Sequence, residues 1–229
     1  MAVRKASAFF WWTIRGWDGK GNSRGVAAGS AETFEEIAEI QEQHQVPATQ
    51  VFVDSRWGAR SEAEVYSACV ERSVLVEKTT EGPMMLGWTP MRGSESRRRW
   101  RAPNGAVMPY GFTYPGGPDP RVKLRLLWFD GQEFKTLLHR LSQGKTALEW
   151  SVPDSMASEE YKRHLQGQVQ RSMPVGRSGR FRIVWDLRAR NWPDHLHSCE
   201  VMQLAAAASL GLLPLEGGEG LGARAKVMP

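Results

Sequence analysis

The sequence predicts an α/β domain with a mixed sheet that is flanked by helices. Three observations predict it. An aromatic run near the N-terminus turns back as a second strand, short apolar strands then alternate with helical segments, and 229 residues are enough to bury a sizeable core. Alternating strands and helices favour parallel pairing through right-handed crossovers, whereas the hairpin is antiparallel. A sheet with both kinds of pairing follows.

The N-terminal elements are predicted from local patterns. Residues 8–17, AFFWWTIRGW, are rich in aromatic and branched side chains, and after a turn cluster at 18–22 the chain returns as a strand at 23–28. Apolar positions at helical spacing predict a helix from residue 31 to about 45, which Pro47 ends.

A strand–helix–strand unit comes next. Residues 50–54 form a short apolar strand that ends in Asp54, a helix is predicted over 61–72, and residues 73–76 form another short strand. This order favours parallel pairing of the two strands within the main sheet.

The C-terminal half continues this alternation. Its predicted elements are a strand at 122–129, a helix at 131–142, an extended piece at 149–152, a helix at 158–170, a strand at 181–186 and a last helix from near Pro193 to about Leu212. The Gly-, Glu- and Ala-rich residues 214–229 have nothing to bury and are predicted to be a flexible tail.

Residues 79–120 are predicted to form a long basic loop or flap, because Gly, Pro, Met and Arg dominate them. A loop of this length within a compact domain is usually functional or disordered. Clustered arginines beside an aromatic residue suit contact with a phosphate backbone, and a solvated run of charge is the alternative. The candidate DNA-binding residues are Arg92, Arg97, Arg98, Arg99 and Arg101, opposed only by Glu95.

Composition limits the class of protein. Thirty basic and twenty-five acidic side chains give a net charge of +5, which permits a polyanionic partner without requiring one. Cys69 and Cys199, the two cysteines, are expected to be buried free thiols in a reducing compartment, and without a CxxC pair they argue against structural zinc. No apolar stretch reaches the length of a membrane span or a signal peptide, so a cytoplasmic protein without a membrane partner is expected.

Residues 144–146, Gly-Lys-Thr, invite interpretation as a phosphate-binding loop. That motif requires a glycine five positions before its second glycine, where His139 stands, and no apolar strand leads directly into it. The segment is therefore predicted to be an ordinary loop, and no ATP site is expected.

Three carboxylates are candidates for a metal site. Asp54 follows a strand, and ligands bind at the carboxyl ends of strands in open α/β sheets, although a turn or helix cap is the alternative. Asp194 lies in the first turn of the last helix, where it could instead compensate the helix dipole. Glu200 comes six residues later, about 120° around the helix, so it does not easily share one ion with Asp194. Asp186, which ends the strand FRIVWD, is a weaker candidate.

Two segments carry a family resemblance. Residues 194–200, Asp-His-Leu-His-Ser-Cys-Glu, resemble the Asn-His-Leu-x-Asp-Cys-Glu run at the end of the nuclease domain of lambda-type phage terminase large subunits. Residues 51–69, VFVDSRWGARSEAEVYSAC, are similar to the strand, aspartate, polar turn and Glu-Val-Tyr helix of that family. Weaker matches at 135–141, 150–153 and 161–165 extend the likeness over residues 8–213.

The resemblance implies a ribonuclease-H-like nuclease domain over residues 1–213 that cuts double-stranded DNA during viral genome packaging. Asp54, Asp194 and Glu200 are then the catalytic residues and the ligands of Mg²⁺ or Mn²⁺, because metal-assisted phosphodiester cutting needs converging carboxylates. The implied partners are double-stranded DNA and a separate terminase ATPase or small terminase subunit, within the host cell.

Three positions depart from the family pattern, and the first is Asp194, which stands where an asparagine is expected. Arg4 stands where an aspartate is expected on the first strand, and Ser198 stands where one is expected on the last helix. An arginine beside the metal pocket would repel the cation. Three hypotheses stay open: an endonuclease with an incomplete acid set, a non-catalytic DNA-binding or assembly module derived from that fold, and a prophage remnant or fragment whose upstream residues hold the first-strand aspartate.

Overall fold

The computed structural model describes residues 1–5, 9–56, 58–77, 79, 82–102, 104–114, 123–175 and 180–214. The strands are β1 Ala2–Lys5, β2 Phe10–Trp17, β3 Ser23–Ala31, β4 Phe52–Asp54, β5 Ser73–Val76, β6 Met84–Gly87, β7 Thr89–Ser94, β8 Trp100–Arg101, β9 Val107–Met108, β10 Tyr110–Thr113, β11 Leu126–Asp130, β12 Trp150–Ser151, β13 Gln168–Val175 and β14 Arg180–Leu187. The helices are α1 Phe34–Gln43, α2 Gly58–Glu71, α3 Gly131–Ser142, α4 Glu159–Leu165 and α5 His195–Ser209.

Eight strands form one mixed sheet in the order β10-β11-β7-β4-β1-β2-β3-β12. The first three strands are an antiparallel meander, and β4, β7 and β11 add to the other side of β1 in parallel. β10 pairs antiparallel with β11, and β12 pairs parallel with β3. The predicted α/β class with a mixed sheet is confirmed.

Helices cover both faces of this sheet, and strand alternation decides which side chain meets which helix. On β1, Ala2 belongs to the core formed with α3 and α5, whereas Val3 belongs to the core formed with α1 and α2. On β4, Phe52 and Val53 divide between the two cores in the same way. The next residues along these two parallel strands, Arg4 and Asp54, therefore face the side of the sheet that α5 covers.

Helix α5 is buried along almost its whole length. Residues 205–208, four consecutive alanines, are each at most 4% exposed. Small side chains let the helix lie close to β1 and β2, against which it packs. The last helix, predicted from near Pro193 to about Leu212, is confirmed as α5. It lies inside the domain between the sheet and the helices α3 and α4.

The long basic loop or flap predicted over 79–120 contains regular structure where the chain is described. The segment contains five short strands, and β7 lies between β4 and β11 in the interior of the sheet. Pro90 and Gly93 concealed this strand, because proline and glycine in a sequence normally argue against an interior strand. Residues 115–122 lie outside the described residues.

Two further predictions need correction. Strand β5 pairs antiparallel with β6 in a separate two-stranded sheet, and the parallel neighbours of β4 are β1 and β7. The helix predicted over 158–170 ends at Leu165, and Gln168 begins β13, whose one partner among the described strands is β14. The tail residues 215–229 are outside the described residues.

Other predictions hold. Residues 144–146 follow the C-terminal end of α3 and form a loop, as predicted. Cys69 and Cys199 are buried and free. Within the described part of the chain, every helix is too short or too polar to cross a membrane.

Candidate functional site

Arg4 and Asp54 meet at the carboxyl ends of β1 and β4. The parallel register pairs Ala2 with Phe52 and Val3 with Val53, so the next two residues are neighbours on one face. Arg4 Nε lies 4.0 Å from Asp54 Oδ2, and the two side chains are only 15% and 12% exposed. The other carboxylate oxygen of Asp54 accepts a hydrogen bond from the Arg56 amide at 3.1 Å.

The beginning of α5 contributes Asp194 and Ser198 to the cluster around Arg4. Arg4 Nη1 lies 3.0 Å from Asp194 Oδ1 and donates to the Asp194 main-chain oxygen at 3.3 Å. It also donates to the Ser198 hydroxyl, one turn further along the helix. Arg4 thus joins the two carboxylates that were predicted to converge, one from the sheet and one from the last helix.

A chain of hydrogen bonds holds the far side of Asp194. Gln168 Nε2 donates to Asp194 Oδ2 at 2.7 Å, and Lys135 Nζ donates to Gln168 Oε1 at 3.1 Å. The two residues come from β13 and α3. Sequence reasoning missed Gln168, because a glutamine among polar residues carries no local sign that it will bond a carboxylate 26 residues away.

Close backbone packing at Gly167 brings the start of β13 next to Asp194. A methyl group added at Gly167 would lie 2.2 Å from the Pro193 carbonyl oxygen and 2.9 Å from Asp194 Cβ. Only glycine permits this approach. The residue before β13 therefore sets the distance between the β13–β14 hairpin and the start of α5.

The two carboxylates have different protonation equilibria. Burial raises the pKa of Asp54 above its ordinary value, although the charge of Arg4 acts in the opposite direction. Burial alone would also raise the pKa of Asp194, but the Arg4 guanidinium and the Gln168 hydrogen bond outweigh it and hold that pKa below its ordinary value. The Arg4 guanidinium favours the ionised form of both carboxylates, and together with Gln168 it outweighs burial at Asp194 but not at Asp54.

This set of residues does not fit a divalent metal ion. Its two acids already share a guanidinium, and a metal ion would have to displace that charge or bind beside it. Among the residues that the structure describes, no group of three or more His, Cys, Asp or Glu side chains is arranged to hold a metal. The site as built is an ion-paired cluster.

Glu200, the third predicted acid, belongs to a different cluster. Its Oε2 lies 3.0 Å from Arg15 Nη1, and its Oε1 accepts from the Tyr161 hydroxyl at 2.9 Å. Neither charged side chain is exposed. Because both carboxylate oxygens of Glu200 are bonded in the interior, the side chain joins α5 to β2 and α4 rather than to Asp54.

The histidines near the cluster pack against aromatic rings. His195 stacks on Trp11 with ring centroids 5.8 Å apart, and His164 lies 4.5 Å from the same ring. Burial lowers the pKa of both histidines, and it lowers the pKa of His197 to about 3. Burial therefore favours the neutral form of all three rings.

Two of the five predicted DNA-binding arginines form ion pairs with acidic residues of this chain. Arg92 lies 2.9 Å from Glu62. Arg99 contacts Asp130 at 3.3 Å and Glu133 at 2.9 Å. The other three, Arg97, Arg98 and Arg101, are exposed.

Asp186, the weaker candidate, lies away from the cluster on the exposed part of the β13–β14 hairpin. Its Oδ2 is 3.4 Å from Arg171 Nε. The same arginine donates to the main-chain oxygens of Leu187 and Arg188 at 3.1 and 3.0 Å. Asp186 therefore pairs with a residue of the facing strand.

Comparison of the chain with protein-family models, with curated proteins and with solved structures found no match.

Proposed function

We propose that this protein is a ribonuclease-H-like domain of nuclease ancestry that binds double-stranded DNA without cutting it. The observation that carries the proposal is the position of Arg4. Its guanidinium lies 3.0 Å from Asp194 and 4.0 Å from Asp54, where the resemblance to terminase nuclease domains implies a metal ion. Two acids bridged by a guanidinium fit a domain of nuclease ancestry that lacks metal chemistry.

The sheet supports the fold part of the proposal. An antiparallel meander, β1 to β3, is joined on its first strand to the parallel strands β4 and β7. This arrangement is compatible with a ribonuclease-H-like fold. Asp54 lies at the carboxyl end of a strand, where ligands of open α/β sheets bind.

The distribution of charge supports DNA as the partner. Residues 168–190 contain six arginines and one aspartate, so this segment alone carries a charge equal to the +5 of the whole chain. Most of it is the β13–β14 hairpin, which pairs with no other strand of the described chain and leaves Phe181, Arg182 and Ile183 exposed. Clustered exposed arginines attract a phosphate backbone independently of its sequence.

The hairpin lies next to the ion-paired cluster. Gln168, its first residue, donates to Asp194 at 2.7 Å. Two residues after Asp54, Arg56 is 46% exposed and forms an ion pair with Glu95. A duplex lying over the carboxyl ends of β1 and β4 would therefore meet basic side chains of the hairpin and of the segment after Asp54. As the resemblance implies, the further partner would be a terminase ATPase or small terminase subunit in DNA packaging.

The proposal is tested by measuring DNA binding and cutting in parallel. Fluorescence anisotropy with a labelled duplex should give binding that weakens steeply as salt rises, with a logarithmic slope of about −0.9 for each phosphate contacted. Supercoiled plasmid incubated with the protein and MnCl₂ should remain uncut. Absence of duplex binding at low salt contradicts the proposal, as does nicking that Asp54→Ala abolishes.

A metal-dependent endonuclease is the second candidate function. The convergence of Asp54 and Asp194 favours it, because these are the acids that the resemblance assigns to Mg²⁺ or Mn²⁺. It requires the Arg4 guanidinium to leave the cluster when DNA and metal bind. Cutting by the wild type but not by Asp54→Ala would establish this candidate; equal nicking by both proteins would remove Asp54 from the chemistry.

A further inference from the structure

We infer that the Arg4 guanidinium takes the place of a divalent cation, and that the oxygen atoms around it form a cation site that opens when the guanidinium is removed. The inference deepens the proposed function, because it explains why this site would not cut DNA. It is nevertheless tested by metal binding alone, so it can fail or succeed whether or not the protein binds DNA.

The Arg4 guanidinium is surrounded by oxygen atoms. Arg4 nitrogens contact four oxygens: Asp54 Oδ2, Asp194 Oδ1, the Asp194 main-chain oxygen and the Ser198 hydroxyl. Carboxylate, carbonyl and hydroxyl oxygens are the ligands that Mg²⁺ and Mn²⁺ prefer. The pocket presents oxygen acceptors around one positive charge, as a cation site does, but the charge comes from the chain itself.

Residues other than Arg4 hold these oxygens in place. Asp54 is bonded to the Arg56 amide at 3.1 Å, and Asp194 is bonded to Gln168 at 2.7 Å. Tight packing between Gly167 and Asp194 fixes the start of α5. Loss of the Arg4 side chain would therefore leave both carboxylates near their present positions.

The positive charge of Arg4 opposes the binding of a divalent ion at this site. With Arg4 present, the guanidinium offsets one of the two carboxylates and repels a divalent ion directly. Arg4→Asp removes the repulsion and adds a third carboxylate, beside Asp54 in the parallel register of β1 and β4. Neighbouring strands are about 4.8 Å apart, which is close enough for both side chains to reach one ion.

The experiment measures Mn²⁺ binding to the full chain by titration calorimetry, together with the melting temperature with and without MnCl₂. Arg4→Asp should bind Mn²⁺ about tenfold or more tightly than the wild type, because affinity rises with the number of charged oxygen ligands. Its melting temperature should rise with MnCl₂, whereas that of the wild type should not.

Matched variants locate the effect. Arg4→Lys keeps a cation at the site and should bind no more Mn²⁺ than the wild type. Arg4→Asp combined with Asp54→Asn should lose the gained binding, which places the ion beside Asp54. Arg4→Asn removes the charge without adding an acid, and it serves as the second test if repulsion between three carboxylates prevents Arg4→Asp from folding in the absence of metal.

Two results would overturn the inference. One is that folded Arg4→Asp and Arg4→Asn bind no more Mn²⁺ than the wild type. The other is that the wild type itself binds Mn²⁺ and Asp54→Asn removes that binding, because Arg4 would then exclude no cation. Failure of DNA binding in the same preparation would count against the proposed function and leave the inference standing.

Discussion

The Arg15 guanidinium and the Glu200 carboxylate form an ion pair 3.0 Å long, and neither side chain has any solvent exposure. Arg15 lies on β2 and Glu200 on α5, so the pair attaches the buried helix to the sheet. Arg15 also donates to the Ser151 main-chain oxygen at 2.7 Å, and Tyr161 donates to Glu200 at 2.9 Å. Arg4 and Asp194 form a second ionic connection at the beginning of the same helix.

We expect Glu200→Gln to lower the free energy of unfolding by about 3 to 5 kcal/mol, because it leaves the Arg15 charge buried without a counter-ion. Urea unfolding followed by circular dichroism measures the change. Glu159→Gln is the matched control, since Glu159 is 91% exposed in its ion pair with Lys162 and its loss should change little. Equal losses for both variants would contradict the role assigned to the buried pair.

We expect Arg4→Ala to lower the free energy of unfolding at neutral pH by about 1 to 3 kcal/mol, less than for a fully buried pair because these side chains are partly exposed. Arg4 holds the pKa of Asp194 below its ordinary value against the opposing effect of burial. The stabilisation is therefore present above the unfolded pKa of an aspartate and is lost as pH falls through the folded pKa. Unfolding of both proteins at neutral and at strongly acidic pH tests this.

The difference between wild type and Arg4→Ala should shrink at acid pH. Arg24→Ala provides the control, since Arg24 is an exposed arginine on β3. A difference that stays constant across the pH range would mean that Arg4 acts through packing rather than through its charge.

We expect acid to destabilise the protein below pH 6.5, the ordinary pKa of histidine, partly through His197, whose pKa burial lowers to about 3. Between these values the unfolded chain binds a proton that the folded chain excludes, so stability falls as pH falls, by up to about 1.4 kcal/mol per pH unit. His197→Gln cannot titrate and should flatten the dependence. An unchanged pH profile in this variant would assign the acid sensitivity to other groups.

We expect Arg182→Gln to weaken duplex binding and to reduce the logarithmic salt slope by about 1, as loss of one phosphate contact does. Arg182 is exposed on β14, and the described residues offer it no ion-pair partner. Arg99→Gln makes the same charge change but should affect binding less, because Arg99 is engaged with Asp130 and Glu133. Anisotropy at several salt concentrations compares the two, and a larger effect at Arg99 would move the DNA contact to the 92–101 segment.

We expect Gly167→Ala to destabilise the protein by about 1 to 3 kcal/mol, because the added methyl group would overlap the Pro193 carbonyl and displace the start of α5. Gly16→Ala is the control, since a methyl group there meets no atom within 4 Å. The two are compared by thermal unfolding. A loss no greater than that of Gly16→Ala would show that the chain around Asp194 yields easily.

Local patterns were sufficient to predict most helices and several strands. Helix α3 begins and ends where it was predicted, because Asp130 caps its first turn and Phe134, Leu138 and Leu141 repeat at helical spacing on its buried face. The hairpin of β2 and β3 was also predicted, with the turn cluster at 18–22 between its strands, although β3 extends to Ala31 rather than to residue 28. These elements were predictable because residues close together in the sequence determine their structure.

Strand β7 could not be predicted from its own residues. Pro90 pairs with Val53 and Gly93 with Phe129 in the interior of the sheet, where the sequence TPMRGS alone indicates a loop. The position of β7 is determined by its pairing with β4 and β11. A glycine at 93 leaves room for the Phe129 ring, 3.0 Å from where a methyl group would lie.

The sequence by itself predicted that Asp54 ends a strand, and that Asp194 lies at the start of the last helix with Glu200 six residues later. Only the tertiary structure decided which of these groups meet. Strand register places Arg4 beside Asp54, whereas Glu200 turns toward Arg15. The reason is physical: a buried charge is stabilised by whichever opposite charge the fold brings within a few ångströms, and those partners lie up to 190 residues apart in the chain.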